Sequence, residues 1–396
     1  MSSKIYVIKT SPETVLDDYA RLMHMADYEK HYPKKQDTII KLNLSWSKFF
    51  PACSSPPWQL EGILKTMTED GYDPRDLFTA ENRTVVTNIA KGLKGNKWKP
   101  LIKKYGAWFV PLTRVPFVPY ESLRPKFLKL KDQELHVLDS KIFPEGFSIP
   151  KFYLGKPIIH LPTMKTHGHT GAKGGSLKKT KESNKRGGIT ASMKNAFGGL
   201  LTKRRHFSHQ FMSEVLVDLL IIQKQIHPEI MAVVDGTVCG DGSGPRTMIP
   251  RIKNYLLAGY DQVAVDTVVA KMLGFKPLEL PAIKLAHDEG LGCGDFDQIE
   301  IIGEDVSDVN WNFQVKRSLV IWGDQMVRKG HLSFLEPLLH NKLFFALPIL
   351  GSLLYHDMFW YPTVGKRRIE EFMKTKWGKK FKEYPADAPG KLNTRN

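Results

Sequence analysis

The chain has 396 residues, 42% of them apolar, and a formal net charge of +17. That length predicts about two to three domains, or one large α/β unit with extensions, with apolar content enough for a core. Three cysteines (Cys53, Cys239, Cys293) with no CxxC argue against a disulfide framework, a Cys-rich zinc module or a built-in iron–sulfur cluster. No stretch reaches the roughly 20 apolar residues that span a bilayer.

The charge is local. Residues 151–205 carry thirteen Lys or Arg against one acid, Glu182, and residues 366–396 carry ten against four. The remainder is near neutral, so two zones with two jobs are expected.

In chain order, KIYVIKT (4–10) reads as a strand and is too short an apolar run for a signal peptide, so a cytoplasmic location is expected. Residues 13–27 have helical periodicity. TIIKLNL (38–44) is a second strand, with the continuous apolar lead of a sheet covered on both faces. After SSPP, a helix is predicted with Ser55 as its cap and Gly71 at its end. LFTAEN (77–82) and AWFVPLT (107–113) are further strands, and this alternation predicts parallel βαβ units.

KPIIHLPTMKTH (156–167) starts as a strand and is expected to stop at Pro162. A Gly- and Lys-rich loop, 171–188, follows without apolar periodicity. Residues 210–226 predict an apolar amphipathic helix. MAVVDG (231–236) predicts a strand ending at Asp235-Gly236, with TVCGDGSGPRT as a turn. YLLAGYD (255–261) leads into a helix closed by Gly274, and IEIIGED (299–305) is the last strand. The expected division is an N-terminal α/β part (1–150), a second α/β part (151–305) and a helical, basic extension (306–396). The fold class is α/β: a mainly parallel sheet with helices on both faces.

In open α/β sheets, ligands bind beyond the carboxyl ends of the strands. By this reading, that edge receives Lys41 and Asn43, Glu81 and Asn82, Lys165, Thr166 and His167, and Asp235. Lys165 and Lys194 are candidates to hold a phosphate or carboxylate, and Gly-rich backbone near 171–175 and 187–188 can form a phosphate nest. Neither a Walker A motif nor GxGxxG follows a strand, so a standard nucleotide site is not indicated. His167, His169, His206 and His209 are candidates for proton transfer or metal ligation; nothing in their spacing shows convergence. Lys194-Asn195 is a pair suited to reading substrate oxygens, with an ordinary helix start as its alternative. Asp235, Asp261 and Asp266 are candidate oxygen ligands for a divalent cation, Asp235 at its strand end being the stronger and helix capping the competing role for Asp261. The apolar 343–360 followed by basic 366–382 suits in-plane contact with anionic lipid, or a buried hairpin capping the sheet.

With these positions laid out, the chain resembles the family catalogued as domain of unknown function 362. The residues that carry the likeness are IIKLNLSW (39–46), SSPP (54–57), IIHLPTMKTH (158–167), ITASMKNAFGG (189–199), RHFSH (205–209), VVDG (233–236), GDGSGP (240–245), AGYDQVAVDTVVAKMLG (258–274) and HDEGLG (287–292). The resemblance implies an α/β protein, prokaryotic in most cases, and says little about reaction. Many relatives carry ferredoxin-like cysteine motifs, which this chain lacks.

Three functions are expected in competition. The first is an enzyme for a small anionic substrate, held by Lys41, Asn43, Thr166, Lys194, Asn195 and His209, with His167, Lys165 and Asp235 in the chemistry. Proton-transfer, lyase-like or group-transfer steps fit these residue types; redox chemistry needs an external cofactor. The second is nucleic-acid binding by 151–205, which is disfavoured because only Phe152, Tyr153 and Phe197 are there to stack bases. The third is peripheral attachment to a membrane surface through 343–382.

Overall fold

The computed structural model describes all residues except 1, 2, 85, 128, 131, 171–187, 202–204, 341 and 396. The Gly/Lys-rich loop and its proposed phosphate nest therefore lie, but for Gly188, outside the described residues. The strands are β1 (Ser3–Lys9), β2 (Thr38–Lys41), β3 (Leu77–Glu81), β4 (Trp108–Pro111), β5 (Phe117–Pro119), β6 (Ser148–Pro150), β7 (Ile158–His160), β8 (Thr163–His167), β9 (Gly188–Thr190), β10 (Ile230–Ser243), β11 (Thr247–Gly259) and β12 (Ile299–Gly303).

Ten of these form one sheet, in the order β12-β1-β11-β10-β7-β2-β3-β4, with β8 added on β10 and β9 on β8; β5 and β6 pair separately. From β10 through β7, β2 and β3 to β4 the ladders are parallel. The run from β10 through β11 to β1 is antiparallel. The sheet is therefore α/β and mostly parallel. Strands from both ends of residues 3–303 share it, since β1 pairs with β12.

The continuous apolar strands follow from burial on both faces. Ile39, Ile158, Ala232 and Val234 point into one core, with the helices Met212–Ile226 and Gln262–Leu273. Their neighbours Ile40, Ile159, Met231 and Val233 point into the other, with Val15–Met25 and Pro57–Glu69. A strand turned by one residue would exchange one apolar face for another, so side-chain shape and not polarity sets the register.

Three local expectations are corrected. Ser55 is not a helix cap: the helix starts after Pro56 without a side-chain cap. Ser55 Oγ instead accepts from Asn43 N at 2.9 Å and donates to Leu161 O at 2.7 Å, joining two chains just past their strand ends. Pro162 ends β7, but β8 resumes directly and pairs with β10. The strand expected to end at Asp235-Gly236 runs on to Ser243, with an irregularity between Gly236 and Val238. The glycines that suggested a turn are there because β8 comes close: a side chain at Gly240 would meet Lys165 and Met248.

The extension is helical: Leu319–Lys329, then Lys342–Leu353, a widened turn over Leu354–Gly365, Lys366–Lys374 and Lys376–Glu383. Its two halves differ. Trp360, Phe372, Trp377 and Phe381 are buried in the second core, Phe381 stacking on Phe49 at 3.9 Å. Phe334, Leu347, Met358 and Phe359 are instead 60–72% exposed. No helix among the described residues is long and apolar enough to cross a membrane.

Candidate active site at the sheet edge

Because β2, β3 and β7 are parallel and in register, they end together. Lys41 lies opposite His160 and one residue from Glu81's level. Lys41 Nζ donates to Glu81 Oε1 at 2.9 Å, and both side chains are almost fully buried. Burial pulls Lys41 down and pushes Glu81 up, and their mutual attraction opposes both shifts. Glu81 Oε1 also accepts from Asn82 N at 2.8 Å. The chain at 197–200 lies directly above: a side chain at Gly199 would run into Tyr153 and Lys41.

Asn195 connects this pair to the rest. Its Nδ2 donates to Lys41 O at 3.1 Å and to His160 Nδ1 at 3.2 Å, and its Oδ1 accepts from Asn43 Nδ2 at 3.3 Å. With Nδ1 accepting, His160 carries its proton on Nε2 and donates to Gln223 Oε1 at 2.6 Å. Burial pulls His160 down to about 3, so the ring is neutral. Asn43 Oδ1 in turn accepts from Lys165 Nζ at 2.9 Å. Lys165 also donates to Cys53 O at 2.8 Å, Ala52 O at 3.2 Å and Thr163 Oγ1. Burial pulls it down to about 8. One hydrogen-bonded chain thus joins Lys165, Asn43, Asn195 and Lys41, which sequence separates by up to 154 residues.

Above this floor is a cavity of about 1570 Å³. Lys194, Arg205 and Arg246 line it as cations. Lys194 Nζ sits over the Phe197 ring at 4.3 Å, and no acceptor among the described residues bonds it. Burial, with Arg205 and Lys165 nearby, pulls it down to about 7. Arg205 donates to the carbonyls of Gly198, at 3.0 Å, and Arg83. Arg246 Nε donates to Ser45 O at 3.2 Å. Neither guanidinium has a carboxylate partner within ion-pair distance among the described residues.

The opposite wall carries the histidines. His167 Nδ1 accepts from His169 N at 3.1 Å, which leaves the proton on Nε2; burial holds the ring neutral. His169 and His209 stack with centroids 4.8 Å apart. Nδ1 of each lies 3.7 Å from Asp324 Oδ2, and Asp324 Oδ1 accepts from Arg328 Nε at 2.9 Å. Asp324 and Arg328 stand on helix Leu319–Lys329, capped by Ser318 and tied to the histidine loop by Gln325 Nε2 donating to Gly168 O at 2.6 Å. Leu319, Ile321, Val327, Leu339 and Ile349 give this side an apolar surface.

The edge therefore gathers Lys41, Asn43, Glu81, Asn82, His167, Lys194, Asn195 and His209 around one cavity. Lys165 lies beneath the floor, not on it. Thr166 faces away, its Oγ1 donating to Gly242 O at 2.9 Å. Asp235 does not orient His167: it accepts from Tyr19 at 2.8 Å, Trp58 at 2.9 Å and Thr237 at 2.7 Å in the second core. The three aspartates considered as cation ligands form no ligand cluster among the described residues. Asp261 caps its helix through Val263 N and Ala264 N, and Asp266 accepts from Ser192 N at 2.6 Å and Met193 N at 3.3 Å. His160, Arg205, Arg246, Asp324 and Arg328 were not singled out from the sequence. His160 was findable as the polar end of an apolar strand level with Lys41; Arg246 and Asp324 had no local signal.

Fold and site together define an α/β protein with a cationic, histidine-lined cavity at the carboxyl edge of a mostly parallel sheet. A profile of the family described as domain of unknown function (DUF362) matches residues 38–271, more than half of the chain, and the chain belongs to that family. The match includes the whole floor and stops short of Asp324 and Arg328. Among solved structures, a protein from Thermotoga maritima is similar at 11% identity and a TM-score of 0.35, over 70% of this chain and 59% of the other. The chain thus spans less than two thirds of that protein's length. No curated protein matches the sequence.

Proposed function

We propose that the cavity binds an anionic substrate, a phosphate or carboxylate, and moves a proton to or from it. The observation that carries this reading is that Lys194, Arg205 and Arg246 face one cavity with no carboxylate within ion-pair distance of any of them among the described residues, although Glu81 and Asp324 line the same cavity. Cations enclosed in this way attract an anion strongly because little solvent screens them. Lys194, near 7, is the acid–base group best matched to neutral pH. Neutral His167 donates from Nε2 to a substrate oxygen, and Asn43 and Asn195 set its orientation. The floor network holds these groups in place before the substrate arrives. The apolar wall accommodates an uncharged body attached to the anionic end. Proton-transfer, lyase-like and group-transfer steps are the reaction classes consistent with these groups.

The test is calorimetric titration of the full chain with inorganic phosphate and with small mono- and dicarboxylates. Binding weakened about tenfold or more by Arg205→Met and by Arg246→Met supports the reading, since a hydrogen bond to a charged group contributes about 1.5–3 kcal/mol. Absence of binding by all of these anions, or binding indifferent to both variants, rejects it.

A second reading, attachment to a membrane surface, is favoured by one observation. The large apolar side chains Phe334, Leu347, Leu350, Met358 and Phe359 are exposed along a short stretch, with exposed Lys366 and Arg367 immediately after it. Such an apolar face followed by cations suits the boundary of an anionic bilayer. Flotation with vesicles containing phosphatidylserine tests it: Leu347→Ser with Phe359→Ser abolishes flotation if the reading holds, and unchanged flotation rejects it. Nucleic-acid binding has less support, because Lys165, Lys194 and Arg205 of the basic segment turn inward.

A further inference from the structure

We infer that His169, His209 and Asp324 form a binding site for a single first-row divalent metal ion of the zinc type, open to the cavity. Their ligand atoms all lie within 4.8 Å of one another. Nδ1 of each imidazole is 3.7 Å from Asp324 Oδ2. That is too long for a hydrogen bond. It is close to the separation of two ligands sharing one ion: bonds of about 2.0–2.1 Å at tetrahedral angles put ligand atoms about 3.3 Å apart.

The aspartate is prepared for such a role. Its Oδ1 is held by Arg328 Nε at 2.9 Å, while its Oδ2 is buried with no hydrogen-bond partner among the described residues. Glu81 Oε2 is likewise buried without a partner, but only at Asp324 do two imidazole nitrogens converge on the oxygen. Orientation of a ligating carboxylate through its second oxygen is the usual outer support of a metal site. The imidazoles are suitable too, since burial keeps both in the neutral form that has a lone pair to give. Two imidazoles and one carboxylate leave coordination positions free, as in catalytic rather than structural sites. All three ligands line the same cavity as Lys194 and Arg205, so a bound ion would stand where an anion's oxygen can reach it.

The other candidate triple, His24, Glu29 and Asp70, provides a control. There His24 Nε2 already bonds Asp70 Oδ2 at 2.7 Å, and Tyr28 donates to that same oxygen, so the group is satisfied without an ion.

The experiment is titration of the chelator-stripped full chain with cobalt(II), followed by calorimetry and visible absorption. The expected result is one equivalent bound, with the absorption of a low-coordinate nitrogen–oxygen site. Asp324→Asn and His209→Gln should each weaken binding at least about 100-fold, and Arg328→Gln about 10–100-fold. His24→Gln should leave binding unchanged. Asp324→Asn is nearly isosteric and keeps an acceptor for Arg328; unaltered thermal melts of the stripped variants separate loss of the site from loss of the fold. No stoichiometric binding by the parent protein overturns the inference, as does binding that survives both Asp324→Asn and His209→Gln. Phosphate binding without metal would in that case leave the proposed anion site standing.

Discussion

At the sheet edge, Lys41, Asn43, His160, Lys165 and Asn195 hold one another, each hydrogen-bonded from at least one side to a strand end or to the segment that follows it. Across the cavity, Asp324 on a helix of the extension, His169 in the loop after β8 and His209 on the short helix Arg205–Phe211 approach without bonding one another. Both regions are polar and enclosed, yet the first is cross-linked by hydrogen bonds between its members, leaving Glu81 Oε2 and Gln223 Nε2 over, whereas the three groups of the second do not bond one another. A cross-linked buried network rigidifies a site; a set of groups aimed at the same point without bonds is arranged for something that arrives. The comparison suggests a division of labour, with the parallel sheet as scaffold and the opposite wall as the place where ligands are taken up.

The largest effect should come from breaking the scaffold. Glu81→Leu leaves the Lys41 ammonium buried and unpaired, and should cost about 3–5 kcal/mol in urea denaturation. The double variant with Lys41→Met should recover most of that loss. A loss below about 1 kcal/mol for Glu81→Leu would mean the floor adapts as readily as the wall, and the contrast would disappear.

Next in size is the cavity cation. Lys194→Met should leave stability unchanged or slightly raised, because an enclosed charge is removed, while weakening phosphate binding about tenfold or more. The parent protein's affinity for a small carboxylate, whose own charge is constant over this range, should fall as pH rises through and above about 7, since Lys194 attracts the anion only as the ammonium. Calorimetry at pH 6 and pH 8.5 checks the sign; equal affinities would place the anion elsewhere.

A smaller effect is expected from acid. His160 and His169 are drawn down to about 3, and His227 to about 4, by burial. The unfolded chain binds those protons near pH 6.5 and the folded chain does not. Stability associated with these neutral rings is therefore fully present above pH 6.5 and declines as pH falls towards 3 to 4. His160→Gln should flatten that decline in denaturation curves, and an unchanged slope would remove His160 from the account.

The smallest effect belongs to the outer face of the extension. Phe334→Ser and Met358→Ser touch exposed positions and should shift stability by no more than about 0.5 kcal/mol. A loss of several kcal/mol would show that these side chains belong to a core and not to a surface.

Much of this was readable in the chain. Continuous apolar runs such as TIIK and MAVV can be stable only inside a sheet covered on both faces, so the fold class and the start of most of the expected strands followed from them, but not the extent of β10 and β11 or the presence of β8. The helix closed by Gly274 and capped by Asp261 was equally local, since capping depends on neighbours a few positions away. Lys165 within β8 and Asn195 on the short helix Ser192–Asn195 meet through Asn43, which follows β2 and bonds both.

Other features depended on contacts between distant segments. Asp235 looked like a strand-end ligand because glycines after it resembled a turn; the approach of β8 made those glycines part of a long strand and turned the aspartate into a core acceptor for Tyr19 and Trp58. The pairing of His169 and His209 with Asp324 has no sequence signature, because the partner comes from a helix more than a hundred residues away. Periodicity and capping are properties of neighbouring residues and can be read from order alone. Which distant side chains meet is settled only when the whole chain has packed, and the approach of His169 and His209 to Asp324 is of that kind.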